Sequence, residues 1–287
     1  MRFSIIVFLL MTALTVSNAQ NFELLNVDFN STLNDENSIG FKNASVKVNI
    51  PIKLKKGVLI NSLSFSTTTI DYNSDVSVNT SMIENFKTLK YSIGFLSKIN
   101  ETWKFKAQIV PTISSNFESN ITFDDVFING SLVFIKANKG SKLRLGLAYN
   151  SGFGMNTPIP VLSYSKKVSK TFSYTLGMPE TKLEYKFSQN NKVNIYLKPK
   201  GFYSNISNNI MLNTSEEVEK AKYRTIVSGF NYTHKVDDCW NISLNAGYQI
   251  SSKYNLLNGN DTVYEFDVKN NFLVGLKLKF ELLNKRN

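Results

Sequence analysis

Apolar and polar residues alternate with a period of two over most of the chain. Val46, Val48, Ile50, Ile52 and Leu54 are separated by Lys47, Asn49, Pro51 and Lys53. Trp103, Phe105, Ala107 and Ile109 are separated by Lys104, Lys106 and Gln108, and Leu143, Leu145, Leu147 and Tyr149 by Arg144, Gly146 and Ala148. The same rhythm runs through Leu89–Phe95, Phe172–Met178, Leu183–Phe187, Val193–Leu197, Trp240–Tyr248 and Phe272–Leu282. Successive side chains on a strand point to opposite faces, so this pattern puts one face in an apolar medium and the other in a polar one. Helical spacing is scarce: only Ser81–Lys87 and Ser215–Ala221 could form a turn or two of helix.

The connections are of two kinds. Short polar turns are expected at Asn100-Glu101, Asn138–Gly140, Val168–Lys170, Gln189–Asn191 and Val236–Asp238. Longer stretches rich in Asn, Ser and Gly lie between the hairpins, about Asp71–Asn85, Thr112–Asp125, Ser151–Ile159, Ser204–Lys220 and Ser251–Asp261. In the best segments alternation lasts about nine to eleven residues, the length of a tilted membrane-spanning strand and beyond the five or six of an average soluble one. Aromatic residues gather near strand ends, where rings prefer the headgroup level of a bilayer: Tyr91, Phe95, Trp103, Phe172, Tyr174, Phe202, Tyr203, Tyr232, Trp240, Tyr248, Phe272 and Phe280. The expected fold is all-β, an antiparallel up-and-down transmembrane barrel of about 12–14 strands with short periplasmic turns and longer outer loops. A secreted soluble β-rich adhesive or structural protein is the alternative, since soluble antiparallel sheets also alternate.

Residues 1–19 change the picture from sheet to exported sheet. Arg2 precedes an apolar run from Ile5 to Leu14, and Ser17-Asn18-Ala19 supplies the small residues of a cleavage site. This reads as a cleavable signal peptide, leaving 20–287 as a single outer-membrane barrel domain. The last aromatic residue is Phe280, followed by a charged tail, so either the final strand stops near Leu283 with a short extension or the terminal aromatic signal for barrel assembly is degenerate.

Composition mainly excludes. One Cys and one His cannot build an internal disulfide or a Cys/His zinc site. Cys239 reads as an inert thiol, and no cofactor or metal is expected. His234, beside Asp237-Asp238, would be the centre of a lipid-hydrolysing barrel, but no G-x-S-x-G elbow accompanies it and a surface histidine is the preferred reading. Asp124-Asp125 reads as a solvated strand start, and triplets such as Asn79-Thr80-Ser81 as products of high Asn and Ser content. The protein is therefore expected not to be an enzyme.

Charge is more informative. With 33 Lys and Arg against 22 Asp and Glu, the formal net charge is +11. If the apolar positions face lipid, the alternate positions place Lys47, Lys53, Lys104, Lys106, Arg144, Lys182, Lys186, Lys192, Lys198, Lys277 and Lys279 in the lumen, offset in part by Glu184 and Glu281. Such a lining attracts a small anionic solute, whereas a closed lumen filled by lysine stems is the bland alternative. The cations are spread along strands rather than gathered into a nucleic-acid footprint, so no nucleic-acid partner is expected. The expected partners are outer-membrane lipid and the barrel-assembly machinery, with the chain a monomer.

Around Phe153-Gly154, Pro158–Tyr164 and Leu176-Gly177-Met178-Pro179 leading into Leu183 and Tyr185, the chain resembles the uncharacterised outer-membrane β-barrel proteins common in Bacteroidota. Trp103 through Pro111 to Phe117, and Gly146–Tyr149, fit the same pattern. The likeness is strongest from Thr88 to Leu197; it implies an outer-membrane barrel, a small pore or an anchor for surface loops, and carries no reaction.

Overall fold

The structure, a computed structural model, describes residues 22–33, 38–72, 76, 78–155, 157–212 and 216–282. The expected signal peptide and the charged tail beyond Leu282 lie outside these residues. Fifteen strands follow in chain order: β1 (Phe22–Thr32), β2 (Gly40–Leu54), β3 (Gly57–Asp71), β4 (Asn85–Lys98), β5 (Trp103–Ser115), β6 (Val126–Asn138), β7 (Ser141–Tyr149), β8 (Ile159–Lys167), β9 (Phe172–Met178), β10 (Thr181–Lys186), β11 (Asn191–Leu212), β12 (Glu216–Lys235), β13 (Trp240–Asn258), β14 (Asp261–Phe266) and β15 (Phe272–Leu282). Each of β1 to β13 pairs antiparallel with the next, β13 pairs with β15, and β15 returns to β1. Fourteen strands thus close the ring, and β14 is a short extra strand on the far end of β13.

Polarity is inverted relative to a soluble barrel. Leu147, Ile195 and Leu244 are 58%, 57% and 55% exposed on the outer surface, while Ser92 and Ser243 are 6% and 3% exposed on the inner one. Exposed apolar residues recur at alternate positions around the ring: Val27 and Phe29, Leu63 and Phe65, Ile128 and Leu132, Leu162 and Tyr164, Leu183 and Tyr185, Ile242 and Leu244. Water would make such a belt aggregate, whereas hydrocarbon solvates it, and closure leaves no strand edge unpaired. Inside, polar side chains satisfy one another across strands, as in Gln108 donating to Ser92, Arg144 donating to Ser165, and the Thr233–Ser243 hydroxyl pair.

One end carries the short turns and both ends of the described chain. Its turns are fixed locally. Asn100, Ser169, Ser188 and Asp237 each accept backbone N–H groups two and three residues ahead, the side-chain mimicry that makes Asn, Asp and Ser turn formers. Aromatic rings ring this end: Trp240 stands 4.9 Å from Phe280, Phe95 5.8 Å from Phe105, and Lys136 lies over Trp103.

The opposite, loop end departs from expectation. The described part of Ser204–Lys220 and Ser251–Asn258 are not loops; they belong to the upper halves of β11, β12 and β13, which run 22, 20 and 19 residues. Nor are there short helices at Ser81–Lys87 or in the described part of Ser215–Ala221: the first is a turn leading into β4 and the second belongs to β12. The helical turns found are single 3₁₀ turns at Phe123–Asp125 and Ser151–Phe153. The reason is tertiary. β8, β9 and β10 have only 9, 7 and 6 residues, so β11 loses its β10 neighbour beyond Leu197. It turns across the mouth and meets β5, where Asn205 pairs with Ser115 in parallel.

Both faces of β11 are buried from Phe202 to Ser207, which erases the alternation that would have marked a strand. Phe202 and Tyr203 therefore do not join the headgroup girdle. Phe202 packs on Phe86 at 5.3 Å and Tyr203 on Phe127 at 5.4 Å, inside the mouth. Asp125 is likewise not solvated: it is 1% exposed and accepts from Asn205 and from the Thr122 backbone.

Candidate functional site: a basic lumen under a sealed mouth

The mouth is closed by apolar packing. Ile39, Phe41, Ile70, Ile83, Phe86, Phe202, Ile206, Val218, Tyr223, Tyr254, Leu256 and Phe266 form one buried cluster. Phe41 stacks on Tyr223 at 3.9 Å and Tyr254 on Phe266 at 4.6 Å. A bulge in β13 makes this possible. Ser251 has φ +57°, and the register shifts beside it, so Tyr254 and Leu256 turn inward although Ile250 faces out. Outside, the belt stops at this level: beyond Ile226 and Ile250 the outward side chains are Arg224 and the Lys253–Glu265 pair. The cluster thus lies above the apolar belt. Tyr72 donates to the Ile83 carbonyl at 3.0 Å, so the 2.7 Å contact with Tyr254 is a donation from Tyr254. Burial, foremost, holds both phenols above their ordinary pKa.

Below the cluster the inward positions carry lysine, hydroxyl and carboxylate side chains. By strand register the eleven basic residues singled out from the alternation sit out of phase with the exposed apolar residues. Their settings differ and overlap. Lys277 pairs with Asp28 at 2.7 Å, Lys279 with Glu23 at 2.7 Å, and Lys192 and Lys182 share Glu184 at 3.3 and 3.9 Å. Arg144, Lys182 and Lys186 line a cavity of about 410 Å³ toward the turn end, with Lys142 and Glu184. Lys47 and Lys277 line a second cavity of about 350 Å³ directly under the mouth, together with Lys90, Lys200 and Asp28. Lys104 and Lys106 stand on the β5 wall, Lys53 near the turn end of β2, and Lys198 over the Tyr196 ring at 4.5 Å.

Among the described residues, no carboxylate lies within 4.0 Å of Lys47, Lys90, Lys106, Lys198 or Lys200. Lys90 and Lys200 were missed from sequence. Lys90 sits between Leu89 and Tyr91 in a clear alternation and was there to be read. Lys200 lies between Pro199 and Gly201, which carry no outward apolar marker.

His234 is on the turn end, where its Nδ1 contacts the Asn191 side-chain oxygen at 2.7 Å. Asp237 caps its own turn and Asp238 pairs with Lys235 at 2.8 Å. The groups of a hydrolytic triad are not gathered there.

A family model matches residues 28–281, nearly the whole described barrel. The chain belongs to the family described as Domain of unknown function (DUF6268). No curated protein matches this family member in sequence. Among solved structures it is similar to an outer membrane channel from Pseudomonas putida F1, with 9% identity, TM-score 0.47, and 93% of this chain and 97% of that chain covered. It is also similar to a deltaS2 mutant of the TodX monoaromatic hydrocarbon channel, at 9% identity and TM-score 0.44, covering 92% and 90%. The KdgM porin follows at 9% identity and TM-score 0.38, covering 88% and 97%.

Proposed function

We propose that this protein is a non-enzymatic outer-membrane barrel, a small pore that admits anionic solutes to a basic lumen and is shut at its loop end by the β11–β12 hairpin. The observation that carries this is the set of inward lysines, Lys47, Lys90, Lys106, Lys198 and Lys200, with no carboxylate within 4.0 Å among the described residues. A lumen ringed by hydrocarbon focuses their field onto whatever water-borne ion enters. On this reading residues 1–19 direct export, the barrel-assembly machinery inserts residues 20–287, and the chain works as a monomer with the short turns in the periplasm.

Planar-bilayer recording tests it. Wild-type protein should conduct weakly, and Asn205→Ala, which loosens the hairpin, should conduct more and prefer anions. Cation preference in the loosened variant would sink the pore reading. A second reading is favoured by the hairpin itself, whose strands stand above the apolar belt: the barrel is an anchor for a surface hairpin. Silence of both proteins in the bilayer would select it.

A further inference from the structure

We propose that the cavity under the mouth is a binding site for a small organic anion bearing two or more negative charges. This rests on the reading of the lumen as basic and reached by water, but not on conduction. The cavity holds about 350 Å³, within the range of small-molecule sites. Lys47 enters it from β2, Lys90 from β4 and Lys200 from β11, so three cations converge from separate strands. Lys90 and Lys47 line the same cavity, and the Lys90 ammonium reaches to the Ser151–Phe153 turn beside Gly152.

The pairing of neighbouring lysines argues against lysine stems as mere filler. Lys277, at the edge of this cavity, has Asp28, and Lys279 has Glu23. Around Lys47, Lys90 and Lys200 the chain supplies hydroxyls, from Ser64, Ser66 and Thr68, and the lining carboxylate, Asp28, is taken up by Lys277 at 2.7 Å. Hydroxyls can hydrogen-bond a ligand but cannot offset three positive charges. A single polyanion spanning β2, β4 and β11 offsets them in one step through charge-assisted hydrogen bonds. The ceiling of Phe41, Phe202 and Tyr223 blocks passage upward, so the ligand arrives from the turn end and meets an apolar roof that suits its carbon skeleton.

Full-length protein, folded in an uncharged detergent and shown to shift on heating in a denaturing gel, is titrated calorimetrically at low salt with citrate and with acetate. Citrate should saturate at one per chain and bind at least about tenfold more tightly than acetate, while Lys90→Met and Lys200→Met should each weaken citrate by about tenfold. Lys253→Met, outside the barrel, should leave binding unchanged. Absence of saturable citrate heat from the folded wild type, or equal affinity in the Lys90→Met/Lys200→Met double variant, would overturn the site. Anion-selective conductance without citrate binding overturns the site and leaves the pore reading standing. Citrate binding without conductance does the reverse.

Discussion

The side-chain amide of Asn205 donates to the carboxylate of Asp125 at 2.9 Å, joining two positions 80 residues apart and fastening β11 to the loop between β5 and β6. Ser204 with Ser114 at 2.5 Å and Ser207 with Ser115 at 2.8 Å complete the seam. These contacts hold β11 against β5, while Phe86 and Phe202 pack together in the mouth.

Asn205→Ala is expected to free the hairpin without unfolding the barrel. It leaves a buried carboxylate with the Thr122 N–H alone, and losing one partner of a buried polar group costs about 1–3 kcal/mol. Limited proteolysis between β11 and β12 should accelerate, while the heat-induced gel shift stays at its wild-type temperature. Cleavage at the wild-type rate would show that the seam does not hold the hairpin.

Alkaline pH should open the same seal. Tyr72 and Tyr254 have folded pKa values raised above the unfolded value, chiefly by burial. The stability that their neutral, hydrogen-bonded forms contribute is therefore complete below about pH 10, the ordinary tyrosine value, and is lost as pH rises toward the folded values. Hairpin cleavage by an alkali-tolerant protease should be flat up to that point and then climb. In the Tyr72→Phe/Tyr254→Phe double variant the climb should shrink to the part carried by Tyr223, which burial also raises; a climb of the same size would assign the effect to other groups.

The sheet was legible from sequence because a strand with lipid on one face and water on the other must alternate, and nine or more residues of it must do so to cross. Turns were legible because Asn100, Ser169 and Asp237 encode them locally. The mouth was not. From Phe202 to Ser207 neither face meets lipid or open water, so residue type no longer reports direction, and Asn205 and Ser207 look like loop residues until β5 is placed beside them. Asp125 misled for the same reason: its burial depends on a partner that only the folded hairpin brings. The cavity under the mouth depends on convergence of β2, β4 and β11, which period-two reading cannot give.

Gly154→Ala tests how the loop between β7 and β8 braces the hairpin. Gly154 has φ +63°, and a Cβ there would sit 1.8 Å from the Tyr223 carbonyl oxygen. Gly259 has φ +58° with nothing within 4 Å, so Gly259→Ala carries only the left-handed backbone cost of about 1–2 kcal/mol. Gly154→Ala adds a collision with β12 and should lower the thermal midpoint further than Gly259→Ala. Equal shifts would show that the loop lifts away at no cost.

The assignment of hydrocarbon to one face and water to the other can be tested on adjacent residues of β10. Leu183 is 40% exposed and stands between Tyr174 and Ile195, while Lys182 stands between Thr175 and Tyr196. A spin label at 183 should be relaxed by oxygen, which concentrates in lipid, and one at 182 by a water-soluble nickel chelate. Leu183→Lys should destabilise the barrel in vesicles by up to about 2–4 kcal/mol, the cost of a lysine on the lipid face near mid-bilayer. Lys182→Leu should cost less, because the lumen has other cations and Glu184 keeps its contact with Lys192 at 3.3 Å. Reversal of the oxygen preference between the two labels would mean that the belt seen on the outside is not the face that lipid touches, and the basic lumen would lose its physical basis.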